Sequence, residues 1–334
     1  MKKYMIMCMA VVALLFASCK NEDISISREV SFEVNPYTVI RDFTFDPMDW
    51  MNELPSDGKL RVRLLVYDTN GDLVQSKEQQ LSRYDEKMNV CLQLANGLYT
   101  AIVITDIVRN NNNVPEYWTL DGENKLSSMK IFNAGYISRL NMLGIAKQQF
   151  FVESGSSNSY SIDVKPAGTL MVSIVKGIHK YDGLGIQYYQ LVTNKTCESC
   201  SFNNEGEWNS NVAAAINIRM SVLYPEDWNN TGYFYDFELP LGQTSLKWQA
   251  DGTIDVTDAL SVDMKAGEEY ASVLDLEEGI FYCVLANGEK GFASLGFECA
   301  APIKALKDNS KRVEMKRAEK DIQGIEIMKL LEMQ

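Results

Sequence analysis

The stretch Leu60-Arg61-Val62-Arg63-Leu64-Leu65-Val66-Tyr67-Asp68-Thr69-Asn70-Gly71-Asp72-Leu73-Val74 decides the fold class. Apolar residues at 60, 62, 64 and 66 recur with a period of two, the pattern of a strand with one face buried. Asn70-Gly71 follows, a pair that tolerates the positive φ of a tight hairpin, and Leu73-Val74 opens the return strand. Similar runs lie on either side. Val30–Val34 comes first. Met88–Leu94 and Leu98–Ile107 read as a second hairpin around Asn96-Gly97. Gln148–Val152 and Ser159–Val164 flank the polar turn Glu153–Asn158. Then come Thr169–Val175, Ile186–Val192, Ile216–Leu223, Gly232–Leu239, Thr244–Trp248, Thr253–Ala259, Glu269–Leu276, Phe281–Leu285 and Gly291–Glu298. Residues 122–146 show no clean period and read as irregular, with room for one short helix. Short strands roughly every 8–12 residues, with no long amphipathic helices between them, predict an all-β chain of β-sandwiches rather than βαβ units.

Composition narrows the function. The chain has 334 residues and a net charge of −13, and 46% of it is hydrophobic. It can therefore bury a core, and at about 150 residues per domain it has room for two. The acidity argues against nucleic acid and anionic membrane surfaces as partners. The domain boundary is expected at Lys165-Pro166-Ala167-Gly168, where Pro restricts the residue before it and Gly permits a change of direction.

The N-terminus reads as an export signal. Lys2 and Lys3 precede an unbroken apolar run, Met5–Phe16, which is too short to span a bilayer. Ala17-Ser18-Cys19 follows and resembles a bacterial lipoprotein signal. That resemblance implies cleavage before Cys19, a diacylglycerol on its thiol and an acylated amine. Two or more acyl chains anchor stably, at roughly 0.8 kcal/mol per buried CH₂. Glu22-Asp23 behind Lys20 is similar to a surface-export signal of Bacteroides-type lipoproteins. The expected organisation is a signal peptide (1–18), a lipid-linked tether (19–28), an N-terminal β-sandwich (29–165), a C-terminal β-sandwich (166–302) and a tail (303–334). The tail is basic over Lys304–Lys320 and apolar over Ile322–Leu331, with Ser310 placed to cap a helix. It reads either as a terminal helix packed on the second domain or as a segment offered to a partner.

Motifs for catalysis are sparse. His179 is the only histidine, so a His-based zinc site fails on count, and any Ser or Cys triad would need that residue. It lies at a strand end and reads as a surface histidine. Seven cysteines are present. Cys8 lies in the signal, Cys19 is the lipid site, and Cys91, in an apolar run, reads as a buried free thiol. Cys197-Glu198-Ser199-Cys200 has CxxC spacing but reads as part of a polar loop, without a second pair for zinc or a strand–helix context for redox work. A small disulfide or two idle thiols remain. No phosphate or calcium loop is present, and nothing calls for a cofactor. Trp208, Trp228, Tyr233, Phe234 and Tyr235 either stack on sugars or pack the second core.

Several segments together resemble the fimbrillin-A-associated anchor proteins, surface lipoproteins of Bacteroides-type bacteria. These are the lipoprotein start, the 60–74 hairpin with its Asp-x-x-Gly-x-Leu-Val return, Leu94-Ala95-Asn96-Gly97-Leu98-Tyr99, the join Pro166–Gly177, and Lys265-Ala266-Gly267-Glu268-Glu269-Tyr270. The family usually has Pro-Gly where this chain has Asn96-Gly97. The resemblance implies two transthyretin-like Greek-key β-sandwich domains in tandem and a non-enzymatic role at the outer membrane, facing the cell exterior. It implies fimbrial subunits as partners, joined by strand addition. A surface glycan-binding lipoprotein, using Trp208, Trp228, Tyr233 and Tyr235 as a platform, is the alternative. The lipid reading has a direct consequence: Cys19→Ala is expected to shift the protein from the membrane to the soluble fraction on cell fractionation, and full retention in the outer membrane would refute it.

Overall fold

In the computed structural model of the chain, residues 27–36, 54, 56–109, 117–133, 142–155, 157–223, 231–286 and 296–302 are described. Cys19 and the tail after Pro302 lie outside them. The described chain is all-β. In chain order the strands are β1 (Arg28–Asn35), β2 (Gly58–Tyr67), β3 (Leu73–Leu81), β4 (Met88–Leu94), β5 (Gly97–Arg109), β6 (Trp118–Asp121), β7 (Lys130–Asn133), β8 (Leu143–Val152), β9 (Ser159–Asp163) and β10 (Lys165–Pro166). They continue as β11 (Thr169–Lys176), β12 (Tyr189–Phe202), β13 (Trp208–Leu223), β14 (Thr231–Glu238), β15 (Gly242–Ala250), β16 (Ile254–Asp255), β17 (Leu260–Met264), β18 (Glu269–Asp275), β19 (Ile280–Ala286) and β20 (Gly296–Pro302). Two short 3₁₀ segments, Leu126–Ser128 and Ile178–Leu184, interrupt them.

The 60–74 hairpin forms as its pattern demands: β2 pairs antiparallel with β3, and the Asp68 carboxylate accepts hydrogen bonds from the Asn70 and Asp72 amides at 2.8 and 2.9 Å. Gly71 takes φ +77°, the left-handed value that Asn-Gly supplies. The Asn96-Gly97 hairpin does not form. β4 pairs with β1, whereas β5 pairs with β2 and β8, so this connection crosses from one sheet to another. The polar turn at 153–158 likewise joins strands of different sheets, since β9 pairs with β1. Sandwich packing overrides turn chemistry here: each apolar strand buries more by entering its own layer than by folding back on its neighbour.

The first half is layered. β4-β1-β9 forms one sheet and β10-β8-β5-β2-β3 another. The central strands of the second sheet, β2 and β5, are buried on both faces. Leu60, Val62, Leu64 and Val66 are buried, and so are Leu65 and Tyr67 on the opposite side. The Tyr67 hydroxyl donates to the Glu123 carbonyl at 2.9 Å, and Trp118, Leu126, Met129, Ile131, Cys200 and Phe202 join the same core cluster. This extra cover explains an Arg on a buried strand. Arg61 meets Asp106 in a two-pronged pair at 2.9 and 2.6 Å and also donates to the Trp118 carbonyl.

The second half repeats the plan. β11 lies between β14 (antiparallel) and β18 (parallel), as β1 lies between β4 (antiparallel) and β9 (parallel). The sheet β14-β11-β18-β19-β20 shares a second core with β12, β15 and β17, through Met171, Tyr189, Leu191, Leu246, Trp248, Val262, Tyr270 and Phe281. β12 joins the halves. It pairs with β15 at residues 189–193 and with β7 at 199–201, while β13 runs along its other edge. Backbone pairing therefore crosses the expected boundary near residue 166. Two strand readings are corrected. Residues 253–259 hold only the short β16, because Asp251-Gly252 and the Val256 and Thr257 amides fold the segment back on Trp248. The strand in that region is β17. Residues 130–133, read as irregular, form β7.

Removing the Asp106 carboxylate would leave the buried Arg61 guanidinium without its partner. Asp106→Ala is expected to destabilise the fold by about 3–5 kcal/mol, read as a lower urea midpoint; a change below 1 kcal/mol would contradict this account.

Candidate functional site

Two features stand out: the slot occupied by β1, and a cavity beside β12. β1 is an apolar plug. Its register sets Val30 against Leu92, Phe32 against Val90 and Val34 against Met88 on one side. On the other side, Phe32 faces Tyr160 and Val34 faces Ile162 in parallel pairing. Val30, Phe32 and Val34 are buried. The Phe32 ring meets Phe150 edge-on at 5.2 Å and Tyr160 at 5.8 Å, and Phe150 meets Tyr160 at 4.9 Å. Polar contacts hold the strand at its margins: Arg28 donates to Ser154 Oγ at 2.7 Å, and Glu33 pairs with Lys87 at 2.7 Å. Burying three such side chains is worth roughly 1.5–3 kcal/mol each, so β1 does not leave without a substitute. Its absence would leave two facing strand edges with unpaired amides and carbonyls, and apolar pockets at every second position. That arrangement accepts an extended strand of like pattern.

The cavity, about 220 Å³, is lined by Asn133, Lys195, Cys197, Glu198, Arg219 and Glu238 among others. Glu238 ends β14 and lines this cavity. Burial pushes its carboxyl up to about 7. The residue gave no signal in the sequence, because it follows Tyr233-Phe234-Tyr235-Asp236-Phe237 without motif or spacing. Phe32 and its neighbours were visible through alternation.

The residues singled out from sequence do not converge. Cys197 and Cys200 lie within β12, not in a loop, and both are free thiols in the structure. The polar residues 194–201 hid this strand, which is held by pairing to β13 and β7 rather than by an apolar face. Burial raises the Cys197 thiol and pushes Cys200 up to about 12, which keeps both protonated and unreactive near neutrality. Cys91 is exposed, not buried, because β4 turns Met88, Leu92 and Leu94 inward and Cys91 outward. Cys283 stands opposite Cys299 in the β19–β20 register. His179 is exposed at the start of the second 3₁₀ segment. Trp208 is partly buried and packs against the first core. Tyr233 and Tyr235 lie on β14 opposite Ile174 and Val172, and Trp228 lies outside the described residues. Among the described residues, no three His, Cys, Asp or Glu side chains converge as a metal site, and no helix is long and apolar enough to cross a membrane.

No family model and no curated protein matches the sequence. Solved structures with a similar course of chain include fimbrial proteins. A fimbrial assembly protein from Parabacteroides distasonis aligns at 14% identity and TM-score 0.45, over 81% of this chain and 99% of its own. The fimbrial anchor protein Mfa2 from Porphyromonas gingivalis aligns at 13% identity and TM-score 0.45, over 79% and 98%. The tip fimbrial protein Mfa3 from the same organism aligns at 9% identity and TM-score 0.40, over 74% and 94%.

The raised Glu238 carboxyl makes a pH-dependent prediction. Between its ordinary value near 4.5 and about 7 the folded state holds a proton that the unfolded state has lost. Stability therefore falls as pH rises through that window and levels off above it. Glu238→Gln is expected to exceed the wild type in stability at pH 8 by up to about 2 kcal/mol and to match it near pH 4.5, measured by urea unfolding at both pH values. Equal differences at both would rule out the titration.

Proposed function

We propose that this chain is a cell-surface fimbrial anchor or accessory lipoprotein that holds or caps a fimbria at the outer membrane. In this reading lipid on Cys19 fixes the N-terminus, residues 29–165 and 166–302 are two transthyretin-like domains, and fimbrial subunits join by strand addition. The observation that carries it is β1: an apolar strand seated between β4 and β9, which begins nine residues after Cys19 in the sequence. A stalk subunit must clear such a slot to receive the next subunit. An anchor must keep it, because cleavage after Arg28 or Arg41 would sever the chain from its lipid. With one end tied to the membrane, the segment after Lys304 is the end available to the fimbria. The glycan-platform reading is weaker, since Trp208 is packed on the first core.

Native fimbriae purified from cells should carry this chain at their base, with its mature N-terminus at Cys19 by mass spectrometry. Deleting Lys304–Gln334 should leave a folded, membrane-bound protein and shed fimbriae into the medium. Fimbriae retained by the deletion, or an N-terminus following Arg28 or Arg41, would reject the anchor arrangement.

A further inference from the structure

We infer that the outer edge of β13 is a self-association surface on which a second copy of this chain pairs its own β13, antiparallel, about a two-fold axis centred on Asn211. β13 spans sixteen residues and, among the described strands, pairs only with β12. Its residues 208–214 advance without a bulge on their own strand and carry no charge: Trp208-Asn209-Ser210-Asn211-Val212-Ala213-Ala214. Protected edges usually carry lysine, proline or an inward charge. This segment has none, and Val212 is 38% exposed. Beyond it the strand is blunted. Ala215–Asn217 bulge opposite Asn194, with Asn217 at φ +49° and Ile216 89% exposed, so regular pairing ends at Ala214.

Charge placement selects the partner and the direction. The only charge on β13 is Arg219, past the bulge, while the turn before the strand carries Glu205 and also Glu207, which is paired with Lys147 of the same chain. The edge is therefore acidic at one end, basic at the other and neutral between. An antiparallel pair of identical strands centred on Asn211 sets Trp208 opposite Ala214, Asn209 opposite Ala213 and Ser210 opposite Val212. The bulge adds two residues between Ala214 and Ile218 relative to β12. It thereby draws Arg219 back toward the turn that carries Glu205 in the other copy. Parallel self-pairing would instead set Arg219 beside Arg219. Asn209 and Ala213 are both exposed, so they can be changed without entering a core. The surface lies apart from the β1 slot and needs no fimbrial subunit.

The test uses the full chain in detergent micelles, with mass measured by sedimentation after correction for detergent. The wild type should be dimeric at micromolar concentration. Asn209→Glu with Ala213→Glu, which opposes like charges twice, should raise the dimer dissociation constant at least tenfold. Asn209→Glu with Ala213→Lys, which opposes unlike charges, should keep the dimer. Asn209→Cys with Ala213→Cys should give a reducible crosslinked dimer that neither single variant gives. Circular dichroism controls for folding of each variant. A monomeric wild type, a dimer indifferent to the like-charge pair, or equal crosslinking by the single cysteine variants would each overturn the proposal. A monomer that instead takes up a fimbrial subunit on this edge would overturn it in favour of that occupant.

Discussion

Everything in the described structure hangs on β12 belonging to two cores at once. Its N-terminal half, with Tyr189 and Leu191, is packed in the second cluster and paired with β15. Its C-terminal half, with Cys200 and Phe202, is packed in the first cluster and paired with β7. A strand that bonds to both halves resists their separation more than a linker would, because parting them breaks ladder hydrogen bonds and exposes Phe202 and Trp208 to water. The turn after β12 tightens this union. Gly206 lies so close to β5 that an added Cβ would stand 3.2–3.3 Å from Ile102 and Thr100.

The same union accounts for how the chain handles buried polar groups. Cover from β6, β7 and the β12 tip removes water from the outer face of β2 and β5, and Arg61 then needs Asp106 as a partner. Two hydrogen bonds and an ion pair satisfy both groups. Among the described residues Glu238 has no such ion pair, and burial shifts its carboxyl toward the neutral form instead. An isolated charge in a low-dielectric site is the costlier state, so the proton stays longer where no cation is supplied. Tyr67, with its hydroxyl on the Glu123 carbonyl, is held in its neutral form by burial in the same way.

How much of this could be read from the sequence follows from what each strand buries. β1, β2, β4, β5, β11 and β18 announce themselves because their apolar residues alternate or run continuously. β6, β7 and the middle of β12 do not. Thr119, Lys130, Ser199 and Ser201 are polar, and their strands are stabilised by main-chain pairing, β6 with β7 and β7 with the remote β12. The layer assignment was also illegible. Asn96-Gly97 has the chemistry of a hairpin, yet Gly97 spends its freedom at φ +158° on a crossing between sheets. Of the candidate site, the plug residues Val30, Phe32 and Val34 were visible as a strand. Their slot was not, because it is made by β4 and β9, which lie more than fifty residues downstream. Glu238 was invisible, since its environment is assembled from β7, β12, β13 and β14.

The two exposed ends of the architecture are managed in opposite ways. β1 would be an edge of its sheet but for β9, whose parallel pairing closes its second side and turns a potential docking edge into a filled slot. β13 has no counterpart to β9 among the described strands. Its core-facing anchors, Met220 and Leu223, lie at its C-terminal end, and the bulge at 215–217 separates them from the straight segment 208–214. The bulge thus lets one strand do two jobs. Beyond it, β13 is fixed by burial. Before it, the strand is free of the second core's packing demands and is held in place by its ladder with β12 and the seat of Trp208 on the first core. A rigid strand with satisfied inner bonds and an uncharged outer edge is preorganised for pairing, because no ordering entropy remains to be lost there when a partner arrives.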